Sequence, residues 1–524
     1  MTRGVAQRYR DWAGQIEGDT PMWQKIAKNG YRPGPTRRGL LAGAGALAMP
    51  SVARGNDPGP CDWCVPGEVA WRKLAGQARV QVIRPGEPGF AERALPQNLR
   101  YRRVEPLAIA RCGAAESVGG VIAWCRDHDL PFAIRGGGHS YAGHSSTPGV
   151  MIDTSAMAAV TVDAASGDVT IEAGARNGDV ARALQAAGRV MTHGRCPSVG
   201  IAGFLLGGGI GFNMRRFGVG SDQMAAAELV TADGQIRQLS ATQEPELFWA
   251  LQGGGGGNFG VSTRFRLFTQ PVDPLVTVFA LRWDRQAEQV ARAFIAAAQA
   301  APDAFGSRFS LQAPTPERRR AGAEVEFDLL GQFAGPRSGL MDILAPVVAA
   351  VPPARMRIEE RPYWDGQAFL SEAGEPGFYQ ERSGFVRGGL SEAVVECGLR
   401  WLRNWPGTEV SADVRFFQTG GAVNRLTPDA TAFVHRDSAW LFSIGLDWSV
   451  RDQIAPTVMG PAHHWQDGFY AEMRSLCGTA AYQNFPDPSL ADWRQAYYGA
   501  NLARLEKVKA AADPGAVFRH GQSL

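Results

Sequence analysis

Arg135-Gly136-Gly137-Gly138-His139-Ser140 stands between two strand-like runs, residues 131–134 and 150–153. Consecutive glycines carry no Cβ, so their amide N–H groups can turn toward one point and a ligand can come close to the backbone. The arginine beside them adds a fixed positive charge, and the combination suits a diphosphate. Phosphate binding has no use for His139, however, so the imidazole needs a second explanation. On its own the segment reads equally well as a glycine turn with an incidental histidine.

A second segment separates these readings. Residues 193–211 run His193-Gly-Arg195-Cys196-Pro-Ser-Val199-Gly200-Ile-Ala202-Gly203-Phe204-Leu-Leu-Gly207-Gly208-Gly209-Ile210-Gly211. With the two segments together, the chain resembles the vanillyl-alcohol-oxidase type of flavoprotein, and within it the berberine-bridge-enzyme-like oxidases. The likeness continues through residues 249–260 and 497–518, so it covers most of the chain after about residue 66. In that family an R-x-G-G-H motif supplies a histidine bonded to the 8α-methyl of FAD, and a C-P-x-V-G motif supplies a cysteine bonded to C6. The resemblance therefore implies covalent FAD through His139 and Cys196. Its other implied cofactor contacts are Arg135 to Ser140, Val199, Gly200, Gly203, Gly207, Gly208, Gly209, Gly211, Gly260, Val261, Tyr498 and Asn501. Val199 falls on a position described in the family as a gate for oxygen.

The coarse pattern fits an α+β fold. Helical spacing is clear over 115–129, 177–187 and 245–251, and short strands are expected at 160–163, 169–173, 228–231, 236–239 and 261–267. Gly255-x-Gly257-x-x-Gly260 has the letters of a dinucleotide fingerprint, but it follows a helix and enters a strand, the reverse of the Rossmann context. No glycine is followed by lysine, which removes a phosphate-binding P-loop. Near residue 271 the composition shifts to helices at 286–300 and 391–405 with alternating strands between them. In one, Val325, Phe327 and Leu329 alternate with Glu324, Glu326 and Asp328; in another, Trp440, Phe442, Ile444, Leu446 and Trp448 alternate with Leu441, Ser443, Gly445 and Asp447. Each strand has an apolar face for helices and a polar face left over; the pattern alone suits a plain solvated face equally well, and the resemblance places that face over the flavin.

The expected organisation is a leader over residues 1–54, an FAD-binding domain over 66–271 with its PCMH-type core at about 102–271, a substrate domain over 272–480 with an antiparallel sheet backed by helices, and a segment 481–524 that returns to the first domain. Arg37-Arg38 ahead of a weakly apolar run, with small residues near Ala53, resembles a signal for the twin-arginine export machinery, against the plainer reading of a basic tail. Export to the periplasm or cell exterior follows from the first reading. No run approaches the ~20 apolar residues of a membrane span. A net charge of +3 spread over 524 residues shows no nucleic-acid footprint. Of seven cysteines, six remain once Cys196 is committed, and their pairing is not readable. Cys61-x-x-Cys64 is half of a zinc pattern without its other half, so no metal is assigned.

The reaction implied is oxidation of an alcohol-type small molecule, a sugar or secondary metabolite, with molecular oxygen as acceptor. Two other readings stand beside it: a dehydrogenase using another acceptor, and a flavin-carrying binding protein without substrate chemistry. Ile210 occupies a position where many relatives carry tyrosine, and the strand before Trp448 contains no Gln or Glu to match the glutamate base of berberine-type ring closure. Ala481-Tyr482-Gln-Asn484-Phe485-Pro-Asp487 resembles the family's A-Y-x-N-Y-x-D segment, which makes Tyr482 the expected catalytic base and Asp447 the reserve.

Overall fold

The computed structural model describes residues 65–407 and 410–524, which pack as one compact unit. The expected leader and both Cys61 and Cys64 lie outside the described residues. A four-stranded sheet has the order Gln81–Ile83, Ala108–Arg111, Val150–Asp153, Phe132–Arg135, and its last three strands are parallel. Helix Ala115–Asp127 connects two of them and buries Val118, Val121, Ile122 and Cys125, the helical spacing visible in the sequence. Phe132–Arg135 runs directly into Gly136, so the glycine turn lies at the carboxyl end of a parallel strand, where α/β sheets open to ligands.

A second, antiparallel sheet has the order Val160–Val162, Val169–Glu172, Val261–Leu267, Met224–Val230, Ile236–Ser240. Its central strand emerges straight from the 253–257 glycine run. The third sheet is larger: Arg355–Pro362, Leu275–Trp283, Glu326–Phe333, Phe305–Gln312, Ser411–Gln418, Ser438–Trp448 and Phe378–Arg387, antiparallel throughout.

One face of this large sheet packs on helices Ala287–Ala300, Glu392–Arg403 and Pro456–Cys477. Phe309 stacks on Phe416 with ring centroids 4.7 Å apart and meets Trp440 edge-on at 5.5 Å. Truncating such a ring to alanine costs about 3–5 kcal/mol, so this layer holds the opposite face rigidly. The largest core continues from Ile171 and Ile201 into Phe309, Trp440 and Leu505. Residue 271 therefore marks a change of sheet within a shared interior.

The segment after residue 480 closes against the first two sheets. Helix Leu502–Ala512 buries Leu505, Val508 and Lys509. The Lys509 ammonium donates to Asn258 O at 2.7 Å, Phe518 O at 2.6 Å and Asp513 Oδ2 at 2.8 Å, so all three of its donors are used. The Asp513 carboxylate in turn accepts the backbone N–H groups of Val517 and Phe518, each at 2.8 Å. No described helix is long and apolar enough to cross a membrane.

Candidate active site

The turns after Arg135 and after Cys196 touch backbone to backbone. A Cβ on Gly137 would overlap the backbone of Gly200, and one on Gly200 would overlap Gly137, so both positions need glycine for the turns to meet. The meeting brings the two expected attachment residues together. Ser198 Oγ lies 3.0 Å from His139 Nε2 and 3.2 Å from Cys196 Sγ, bridging imidazole and thiol. Burial, assisted by the nearby Arg176 cation, lowers the His139 pKa to about 4. The ring is therefore neutral and keeps the nitrogen lone pair that a bond to carbon requires. Gly374, at φ +64°, approaches from the 371–377 loop so closely that a Cβ there would overlap both Cys196 Sγ and Ser198 Oγ, and Gln97 Nε2 hydrogen-bonds its carbonyl.

These atoms open on a cavity of about 520 Å³. Gly136 to Ser140, Val199, Gly200, Gly203, Gly211, Gly260, Val261 and Tyr498 line it, as expected from the sequence. The run Gly255, Gly256, Gly257 lines it too, together with His520 and Gln522 from the returning segment. The polar sheet face forms the far wall, with Arg308, Tyr379, Glu381, Arg415, Ser443 and Asp447.

Several expected residues are placed elsewhere. Arg135 turns its guanidinium away from the cavity, to Ser145 O at 3.0 Å, Leu95 O at 3.1 Å, Arg93 O at 3.3 Å, Ala94 O at 3.4 Å and Ser146 Oγ at 3.3 Å. Five acceptors use the whole fork, so Arg135 fastens the turn and is no phosphate ligand. Gly207, Gly208 and Gly209 do not line the cavity; added Cβ atoms there would strike Asn484, Phe433 and Phe204. Asn501 is likewise outside it, donating to Pro428 O at 2.7 Å and Thr431 O at 3.1 Å. His193 brings no positive charge to Cys196, because burial lowers its pKa to about 4 and Nε2 meets Tyr363 Oη at 2.9 Å. Arg195 pairs with Glu372.

A family model described as "FAD binding domain" matches residues 106–240, and one described as "Berberine and berberine like" matches residues 481–524. The chain is 31% identical to the uncharacterized FAD-linked oxidoreductase YgaK of Bacillus subtilis (strain 168), over 86% of this chain and 97% of that protein. The chain belongs to the berberine-bridge-enzyme-like FAD-linked oxidases. It is also 29% identical to the chitooligosaccharide oxidase of Gibberella zeae, over 86% of this chain and 93% of that one. A solved structure of glucooligosaccharide oxidase from Acremonium strictum, described as carrying 6-S-cysteinyl, 8α-N1-histidyl FAD, superposes with a TM-score of 0.77 at 24% identity, covering 87% of this chain and 98% of that one.

Within this FAD-linked oxidase the two expected proton acceptors are in unlike settings. Tyr482 is 1% exposed, and its hydroxyl oxygen accepts from Gly209 N at 3.0 Å and Asn484 Nδ2 at 3.2 Å. Burial pushes its pKa up to about 12, so it stays a phenol near neutral pH. The two N–H donors oppose that rise, and through them the hydroxyl ties the glycine loop to the returning segment at the cavity wall. The Asp447 carboxyl is open to the cavity, 55% exposed and 3.5 Å from Arg415 Nη2. Although it meets solvent inside the cleft, protein surrounds it on most sides, and burial raises its pKa to about 6.

Sequence reading missed Glu381, Arg415 and Arg308 because they sit on three different strands whose register no motif reveals. It also missed the aromatic contacts that frame the cavity: Tyr141 lies 5.2 Å edge-on from Tyr379 and 4.9 Å from Phe485, and Phe417 lies 6.2 Å from Phe485. The five consecutive glycines at 253–257 were a visible signal for close backbone approach even with the Rossmann reading excluded.

Proposed function

We propose that the protein oxidises an alcohol group on a sugar or secondary metabolite, using FAD bonded to both His139 and Cys196, with oxygen as acceptor and hydrogen peroxide as product. The observation that carries this is the Ser198 hydroxyl held between His139 Nε2 and Cys196 Sγ. A structural histidine and a structural cysteine have no need to meet across one hydroxyl at the edge of a large cavity.

The residues present fit the cofactor. Gly136 to Gly138 and Gly255 to Gly257 present backbone without side chains along the cavity wall, as a diphosphate requires, and Val199, Phe204, Leu206 and Val261 supply apolar surface for rings. When bound, flavin accepts a hydride from carbon. The protein's part is to hold the alcohol against the polar sheet face, to exclude water with the aromatic residues Tyr141, Tyr379, Phe417 and Phe485, and to take the hydroxyl proton. The small side chain of Val199 in the cavity wall supports the oxygen reading.

Denaturing precipitation tests the attachment. Yellow colour stays with the wild-type pellet and with each of His139→Ala and Cys196→Ala, and only the double variant releases it; free flavin from wild type overturns the reading. A panel of sugars and aromatic alcohols, followed by flavin bleaching and peroxide release, then tests the reaction. Twin-arginine export belongs to the same proposal: Arg37→Lys with Arg38→Lys retains the protein in the cytoplasm, as cell fractionation reads.

A further inference from the structure

Glu381 belongs to none of the motifs in the sequence, yet it sits at the centre of the polar wall. The side chain is buried, 5% exposed, and its carboxylate accepts from Arg415 Nη1 at 2.7 Å and from Ser443 Oγ. Register explains the approach. Glu381 and Asp413 both lie opposite Gly445 on the strand between them, and a Cβ at 445 would come within 2.6 Å of Asp413 Oδ1 and 3.2 Å of Glu381 Oε1. The glycine leaves a gap across which Arg415 reaches Glu381 while also holding Asp413 at 2.8 Å.

The groups facing Glu381 come from every surrounding element: Tyr379 on its own strand, Ser443 and Asp447 on the next, Asp413 and Arg415 on the one beyond, and Tyr141 from the turn after His139. Glu372 and Arg308 complete the ring through Arg415. Desolvation is the largest influence on Glu381; Asp413 and Asp447 add to it and Arg415 opposes it, leaving the pKa raised to about 7. Such a carboxyl is ionised often enough at neutral pH to accept a proton and basic enough to keep it. Its place relative to the cofactor end is fixed as well: Tyr379, two residues away, packs on Tyr141, two residues beyond His139.

We propose that Glu381 is the general base of the oxidation, accepting the hydroxyl proton of the alcohol, and that Arg415 is the positioning residue that aims its carboxylate into the cavity. The assignment rests on the alcohol-oxidising reading above. The alcohol loses its C–H hydrogen with the bonding pair to the bound flavin and its O–H proton to Glu381, leaving a C=O bond. Oxygen takes up the two electrons and two protons as hydrogen peroxide, and the proton on Glu381 leaves to solvent, which restores the balance. Because the base must be ionised, flavin reduction rises with pH through about 7 and levels above it.

The test is rapid-mixing flavin reduction by a panel alcohol across pH, on holoenzyme. Glu381→Gln keeps bound flavin, loses roughly 10²-fold or more in the limiting reduction rate and loses the limb near neutrality, while Glu381→Asp recovers part of both. Asp447→Asn keeps the limb but moves it to lower pH, because one negative neighbour is gone. A Glu381→Gln enzyme that reduces at wild-type rate, or that keeps the limb while Asp447→Asn loses it, overturns the assignment and leaves the alcohol reading standing. If no alcohol bleaches wild-type flavin, the reading itself fails and the base assignment with it. Independently of any substrate, infrared difference spectra between acid and alkaline pH show a protonated-carboxyl stretch that vanishes in Glu381→Gln; its absence from wild type also overturns the assignment.

Discussion

Tyr482 shows how much of one hydroxyl's setting a local motif leaves out. The motif around it matched, but its oxygen already receives the Gly209 N–H and Asn484 Nδ2, which no local pattern displays. Tyr482→Phe leaves the Gly209 N–H without an acceptor in a buried loop, so we expect a stability loss of about 1–3 kcal/mol by denaturant titration with flavin reduction nearly unchanged. A fall of roughly 10²-fold in reduction would return the base to Tyr482. Val199, in the cavity wall, is the residue-scale test of the oxygen reading. Val199→Leu slows reoxidation by oxygen and leaves substrate reduction intact; equal reoxidation rates in a stopped-flow trace would remove oxygen access from this position.

At the scale of elements, the sequence disclosed what is local. Strand Val150–Asp153, helix Asn177–Ala187, helix Pro245–Leu251 and strand Val261–Leu267 fall on the residues that periodicity marked. Helix Pro456–Cys477 was illegible because Gly460-Pro461 reads as a turn. Pro461, the sixth residue, lies inside the helix and forgoes the hydrogen bond to Thr457 O, and the buried face from Met459 through Trp465, Phe469 and Met473 holds the helix together across it. The candidate site divides in the same way: His139 and Cys196 each announce themselves within a few residues, whereas the Glu381, Arg415 and Ser443 contacts depend on the pairing of three strands. Two element-scale outcomes follow. Gly137→Ala forces the two turns apart, so covalent flavin content falls sharply while circular dichroism stays near wild type. Lys509→Met strips the counter-charge from buried Asp513, costing ~3–5 kcal/mol, read as a lower melting temperature.

For the molecule as a whole, burial keeps most histidines neutral. The pKa values of His139, His193 and His520 are lowered to about 4 and that of His435 to about 3, while His144 lies well below its ordinary value. Below pH ~6.5 the unfolded chain takes up protons at these rings that the folded chain refuses until about pH 4. Folded-state pKa values below unfolded ones therefore mean stability that is present above about pH 6.5 and lost as pH falls toward 4. The melting temperature should drop across that window; a flat profile would show that the rings reach solvent. The covalent bond proposed at His139 takes that ring out of the set.

Residues 481–524 supply Tyr482, Gln483, Asn484, Phe485, Tyr497, Tyr498, His520 and Gln522 to the cavity, yet both proposed attachment residues precede them by more than 280 positions in the chain. During synthesis His139 and Cys196 leave the ribosome early, and the wall that faces them leaves late. A nascent chain stalled anywhere between them carries both reactive side chains on an unfinished surface. Under the proposed attachment, the cavity that receives the cofactor is complete only once residues 481–524 have been made.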